Sequence, residues 1–266
     1  MKSVSVIQQP TLGADINMAV DKIPPSVSLS LTESLMKTIL ITGANRGLGL
    51  AHVRSFASRG IRVFATARFP DDAIELKQLA TLHAGLVDVL AYDAADLQAP
   101  SLLKAIVGDT PLDLVFCNAG VMGESGQSFG QIDVLGILEI VRINSLAPLK
   151  LVEALADNVA CSKRKLVAFQ SSLMGSVGDN GSGGQYGYRI SKCALNMVAK
   201  SVANDLRARG VISVALHPGW VKTRMGGQNA PLTIEQSVAG QQQVFDRLSS
   251  NDSGRFFNYD GKELPW

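Results

Sequence analysis

The sequence predicts an α/β protein built on one doubly wound parallel sheet with helices on both faces. Three observations predict it. Short runs that are apolar almost throughout alternate with segments of helical period, the pattern of parallel βαβ units whose strands are covered on both sides. A glycine-rich run, Thr42-Gly43-Ala44-Asn45-Arg46-Gly47-Leu48-Gly49, follows the first of these strands and opens a helix, the setting in which such a loop receives a dinucleotide. Far downstream, Tyr188 and Lys192 stand four apart in Tyr-Gly-Tyr-Arg-Ile-Ser-Lys, and residues four apart on a helix share a face.

The elements follow in order. Thr38-Ile39-Leu40-Ile41 is the first strand, and after the glycine loop a helix over 50–59 ends at Gly60. Residues 62–68 form the second strand, 73–82 a helix, 87–92 the third strand and 100–107 a helix. The fourth strand, 112–117, runs into Asn118-Ala119-Gly120, and a long helix covers 133–156. The fifth strand, 166–170, ends in Ser171-Ser172. A Gly-rich loop over 175–184 precedes the helix of Tyr188 and Lys192, and the sixth strand, 211–216, meets His217-Pro218-Gly219. Ligands of such sheets bind beyond the carboxyl ends of the strands. Asn118, Ser172 and Pro218-Gly219 therefore converge on one edge despite their separation in sequence.

Length and composition narrow the function. A chain of 266 residues buries a large single core without a second domain. With 25 basic against 23 acidic residues and no basic block, nucleic acid and anionic membrane are poor partners. Cys117, Cys161 and Cys193 are scattered, odd in number and without CxxC spacing. That argues against a disulfide framework or a zinc site and for a reducing, cytoplasmic compartment. His52, His83 and His217 are isolated and read as structural, so no metal site is expected. No apolar run reaches the ~20 residues of a membrane span. Residues 1–35, Ser-rich and without sustained period, read as a disordered extension ahead of a domain spanning 36–266.

The chemistry lies in the two motifs. Glycines in the loop let a pyrophosphate reach backbone N–H groups at a helix N-terminus. An ammonium beside a phenol can lower its pKa and make it a usable proton donor. Tyr186 is not that phenol, since four residues on stands Ile190.

Together these residues resemble the short-chain dehydrogenase/reductase family. The loop is Thr-Gly-x-x-x-Gly-x-Gly, and the match continues through Asp93, Asn118-Ala119-Gly120, Asn144, Ser172, Tyr188, Lys192 and Pro218-Gly219. His217 to Gly227 and the tail Phe256 to Trp266 look like the sniffer-type carbonyl reductases and the related bacterial C-factor proteins. The resemblance implies a Rossmann-type sheet and a catalytic set of Asn144, Ser172, Tyr188 and Lys192. It assigns cofactor binding to Gly43, Asn45, Arg46, Gly47, Leu48, Gly49, Asp93, Ala94, Asn118, Ala119 and Gly120. Pro218, Gly219, Val221 and Thr223, with Tyr188 and Lys192, complete that set. By the same resemblance Asp93 accepts from the adenine amino group, Lys192 bonds the ribose and Asn144 holds a water. Plainer readings stand beside these: strand terminator for Asp93, helix cap for Asn118, strand-end serine for Ser172.

Arg46 and Arg68 decide between cofactors. An acidic residue at the end of the second strand bonds the ribose 2′-OH of NAD, whereas arginine there meets the 2′-phosphate of NADP. Thr66-Ala67-Arg68 offers no carboxylate, and Arg46 lies inside the loop, so NADPH is expected unless both are solvated surface arginines. The implied reaction reduces an aldehyde, ketone or quinone, with a small carbonyl compound as partner and a homodimer left open. A biosynthetic ketoreductase or hydroxyl dehydrogenase, and an NADP(H)-binding signalling protein, are the alternatives. Met174, Gln185, Trp220 and Met225 are candidates for the substrate wall.

Overall fold

Seven parallel strands form the sheet in the order β3-β2-β1-β4-β7-β8-β9. The strands are β1 (Thr38–Ile41), β2 (Arg62–Ala67), β3 (Val87–Ala91), β4 (Leu114–Cys117), β7 (Leu166–Gln170), β8 (Ile212–His217) and β9 (Phe256–Asn258). A two-stranded antiparallel hairpin, β5 (Gln127–Ser128) and β6 (Gln131–Ile132), stands apart from them. The helices are α1 (Gly47–Ser58), α2 (Ile74–Leu82), α3 (Ala99–Val107), α4 (Val134–Val141), α5 (Ala147–Ala160), α6 (Tyr186–Asp205) and α7 (Ile234–Arg247). The computed structural model describes residues 36–96, 98–123 and 127–266, all within the unit Leu35–Trp266. The extension expected over 1–35 lies outside the described residues.

Strand side chains alternate between faces, and each face builds its own core. On one face Ile39, Ile41, Val63, Phe116, Ala168 and Val214 meet Val53 and Phe56 of α1, Leu76 of α2 and Phe245 of α7. On the other, Leu40, Val115, Val167, Phe169 and Ala215 meet Leu103 of α3, Leu155 of α5 and Leu195 of α6. Two dry layers on one sheet explain why the strands read as unbroken apolar runs. His52 is fully buried among the rings of Phe56, Phe116 and Phe245. Burial pushes its pKa down to about 3, so it is a neutral core residue. Burial likewise takes His217, at the end of β8, down to about 4.

Three features depart from the sequence reading. The long helix expected over 133–156 is α4 and α5 joined by a π turn, Arg142–Leu146, and it runs on to Ala160. Pro148 near the start of α5 has no N–H, so the usual i→i−4 partner of the Asn144 carbonyl is missing. The backbone widens there, and the Ala147 N–H reaches back five residues to the Arg142 carbonyl. Helix α7 and strand β9 were not expected. The buried face of α7 includes Ser237, Gln241 and Gln242, which interrupts the apolar stripe that marks a helix. Its start was nonetheless readable as a capping box, Thr233 with Gln236. The hairpin β5–β6 is too short to carry a period.

Among the described residues no helix is long and apolar enough to cross a membrane. Nor do they contain a group of three or more His, Cys, Asp or Glu able to hold a metal.

Candidate active site

The glycine loop is held in place by the end of β4. Gly43 and Gly47 have φ of +65° and +55°, which glycine adopts freely and other L-residues rarely do. Asn118 Nδ2 donates to the carbonyls of Thr42 (2.9 Å) and Gly43 (3.2 Å), and Ala119 N–H donates to Thr42 Oγ1 at 3.0 Å. Asn118 thus acts on the loop itself rather than capping a helix. A Cβ at Gly49 would lie 2.3 Å from the Gly43 carbonyl oxygen, so only glycine lets α1 begin this close to the loop.

The first turn of α1 has neither a side-chain cap at Arg46 nor an acidic residue, which leaves its N–H groups for an anion. That open N-terminus, beside two exposed arginines, fits the phosphates of a dinucleotide. Arg46 is exposed, as is Arg68 just past β2, whose guanidinium lies 4.9 Å over the Phe69 ring. Asp93 is half-buried after β3, and one of its carboxylate oxygens accepts from Ala95 N–H at 3.0 Å. Ala94 beside it is also half-buried.

Past β8, Gly219 has φ +79°, and a Cβ there would collide with Leu232 Cδ1 at 2.3 Å. The Pro218 carbonyl accepts from Ser237 Oγ at 2.6 Å, which ties this turn to α7. Val221 is buried and bridges Leu232, and Thr223 Oγ1 accepts from Gly226 N–H at 3.0 Å. Helix α7, absent from the sequence reading, therefore anchors the expected cofactor segment.

The candidate catalytic residues form a cluster on α6, just past β7 and in the π turn. Tyr188 and Lys192 sit one turn apart on α6 and are buried, as are Ser172 after β7 and Asn144 in the π turn. Asn144 pairs with the Val121 backbone through both amide atoms, each at 2.8 Å, and its Nδ2 also donates to Ser191 Oγ at 2.9 Å. Ser191 Oγ donates to the Tyr188 carbonyl at 2.8 Å. Gly120 brings the β4 turn against this cluster. A Cβ on it would lie 3.2 Å from Asn144 Oδ1 and 3.5 Å from Lys192 Nζ. The four residues expected to act together are thus neighbours, and the cofactor edge touches them.

Titration of the phenol runs opposite to the expected lowering. Lys192 Nζ donates to the Gln170 carbonyl at 2.7 Å and stands 5.7 Å from the Tyr188 ring centroid. Burial pushes the Tyr188 phenol up to about 12, opposed by the Ser172 hydroxyl. Burial also pushes the Lys192 ammonium down to about 8. Desolvation dominates both groups, because it disfavours the charged form of each. The phenol is consequently a loaded proton donor at neutral pH.

Of the expected substrate wall, Met225 lies beside the phenol, its Sδ 4.0 Å from Tyr188 Oη. Trp220 is 55% exposed with its indole N–H on the Gly226 carbonyl at 2.7 Å. Met174 N–H donates to Ser172 Oγ at 3.2 Å. Sequence reasoning missed Ser191 and Gln127. Ser191 was legible as a polar residue three on from Tyr188, on the same face. Gln127 carries no local signal.

Comparison with known proteins identifies the family of this fold. The model of the short chain dehydrogenase family matches residues 37–231. The C-signal protein of Myxococcus xanthus is 43% identical over 156 residues, covering 59% of this chain and 93% of that one. The carbonyl reductase Sniffer of D. melanogaster superposes with a TM-score of 0.80 at 33% identity, covering 87% of this chain and 100% of that one. An NADPH-bound carbonyl reductase from chicken fatty liver gives a TM-score of 0.80 at 32% identity, with 87% and 99% covered. With the glycine loop, the Tyr188–Lys192 helix and the seven-stranded sheet all in place, the chain belongs to the short-chain dehydrogenase family.

Proposed function

We propose that this protein is an NADPH-dependent reductase that converts the carbonyl of an aldehyde, ketone or quinone into an alcohol. The observation that carries the reading is the buried set of Ser172, Tyr188, Lys192 and Asn144 beside the glycine loop. Binding a nucleotide alone does not require a second hydroxyl next to the phenol. When bound, the dinucleotide supplies a hydride to the carbonyl carbon. Ser172 and Tyr188 donate hydrogen bonds to the substrate oxygen, which polarises it. The proton that completes the alcohol comes from Tyr188 Oη. Lys192 contributes a positive charge 5.7 Å from the phenol ring centroid, and Asn144 ties the Val121 backbone, beyond the end of β4, to Ser191 of α6. Gly43, Asn45, Gly47, Leu48 and Gly49 would hold the pyrophosphate, with Arg46 and Arg68 on the 2′-phosphate. Ala94, Asn118 and Ala119 would line the adenosine side, and Val221 and Thr223 the carboxamide. Met174, Trp220 and Met225 border the substrate with apolar surface. NADPH consumption by the purified protein across a panel of aldehydes, ketones and quinones tests the proposal. No turnover with any of them would defeat it.

Cofactor choice gives a sharper check. Arg68→Ala should weaken kcat/KM for NADPH roughly 10- to 100-fold, the scale of a lost charge-assisted contact to phosphate. NADH should barely respond, because it lacks that phosphate. Equal losses for both cofactors would mean that Arg68 supports the fold and does not read the phosphate.

The pH profile should bend on Lys192. Its ammonium is charged below about 8 and loses its charge as pH rises through that value. Tyr188, at about 12, stays protonated over the same range. Reductive kcat/KM should therefore fall above about pH 8, and kcat/KM reports groups of the free enzyme. In Lys192→Arg the limb should disappear, since a guanidinium keeps its charge. A limb unchanged in that variant would assign it to another group. Stability should move oppositely: between about 8 and the ordinary lysine value the unfolded chain binds more protons, so folding strengthens as pH rises there.

A further inference from the structure

Helix α6 starts without help from its own sequence. The residue before it, Gln185, has φ +49° and makes no side-chain cap, and the first turn contains no acidic residue. The first N–H groups of a helix have no partner within it, and a buried one left unmet is costly. One of them belongs to Tyr188. Its N–H donates at 2.9 Å to Gln127 Oε1, sixty-one positions upstream in the hairpin strand β5. The other end of the same amide, Gln127 Nε2, donates to the Met122 carbonyl at 3.1 Å. Met122 follows Val121, whose backbone N–H and carbonyl both pair with the Asn144 amide.

Two glycines make room for this amide. A Cβ at Gly187 would lie 2.8 Å from Gln127 Oε1, and a Cβ at Gly123 would lie 2.7 Å from Gln127 Nε2. Ile140 of α4 closes the slot, since either Cβ would also strike its Cδ1. Gln127 itself is only 7% exposed. A buried amide with both ends bonded, in a slot between two glycines and Ile140, fixes the relative position of the two backbones it joins.

We propose that Gln127 is a positioning residue for Tyr188, a brace between the backbone of the β4 turn and the first turn of the catalytic helix. The inference rests on the reading of Tyr188 as proton donor. Removing the brace lets the first turn of α6 shift relative to the β4 turn, and a misplacement near 1 Å can cost on the order of 10²-fold in rate.

The test uses Gln127→Ala, Gln127→Glu and Tyr188→Phe in the full chain, assayed for NADPH-linked turnover of the carbonyl panel, NADPH affinity and thermal melting. Gln127→Ala should lose kcat on the order of 10²-fold with NADPH affinity unchanged. In Gln127→Glu the carboxylate still accepts from Tyr188 N–H, but it cannot donate to the Met122 carbonyl until protonated. Its kcat relative to wild type should therefore rise as pH falls, a response that a mere filler of space would not give. If Gln127→Ala does not fold, this pH-dependent ratio alone carries the test. Wild-type kcat in Gln127→Ala, or a ratio for Gln127→Glu that is flat with pH, overturns the brace. Should Tyr188→Phe keep its turnover, the functional reading fails as well. If it is inactive while Gln127→Ala is unimpaired, only the brace fails.

Discussion

Tyr188→Phe should abolish carbonyl reduction while NADPH still binds. The ring stays in its buried place and only the hydroxyl is lost, an atom that interacts with the Ser172 hydroxyl and lies 4.0 Å from Met225 Sδ. Packing is therefore almost unchanged. What disappears is the proton source and one of two donors to the substrate oxygen. General acid catalysis typically contributes about 10²–10⁴-fold, and the lost polarisation adds to it. Turnover with NADPH and an active carbonyl substrate, compared with cofactor affinity by fluorescence, separates the two effects. Near-normal kcat would remove Tyr188 from its assigned role. Lys192→Ala should behave differently and damage both quantities, because Nζ also supports the Gln170 carbonyl at the end of β7.

Gly49→Ala should weaken NADPH binding by more than tenfold and lower the melting temperature. The new Cβ would stand 2.3 Å from the Gly43 carbonyl oxygen and 2.7 Å from Asn118 Nδ2. Neither atom is free to withdraw, because the two are hydrogen-bonded to each other and Asn118 also holds Thr42. The junction between the loop and the end of β4 must open. Overpacking of this kind costs roughly 1–3 kcal/mol, which for a domain of this size means a few degrees or more in melting temperature. Gly60→Asn, just past α1 and outside the loop, is the control. A Cβ there meets nothing within 4 Å, and asparagine tolerates the positive φ, so its effect should be small. A Gly49→Ala protein with wild-type affinity and melting temperature would show that the loop is not as tightly held as its contacts indicate.

The order of the first six parallel strands was legible because each is a local apolar run, and the turns after them carry local chemistry. Asn118-Ala119-Gly120, Ser172 and Pro218-Gly219 lie past strand ends in the structure as in the sequence. Strand β9 escaped because three residues, Phe256 to Asn258, are too few for a period, although Phe256 and Phe257 enter opposite cores. Helix α7 escaped because its buried face mixes Val238, Val244 and Phe245 with Ser237, Gln241 and Gln242. The π turn had a signal in Pro148, visible only once the neighbouring helix was known to continue.

Sequence by itself determined the fold class, the family and the residues that converge on one edge of the sheet, since these depend on neighbours a few positions apart. Tertiary structure alone decided which distant side chains hold those residues in place. Gln127 reaches Tyr188 across sixty-one positions, and Ser237 of α7 supports Pro218. It also decided the titration of the Tyr188–Lys192 pair. A lysine four residues from a tyrosine promises a lowered phenol pKa, yet the phenol rises and the ammonium falls. The reason is desolvation, which follows from how completely α6, β7 and the π turn enclose both groups and cannot be read from their spacing.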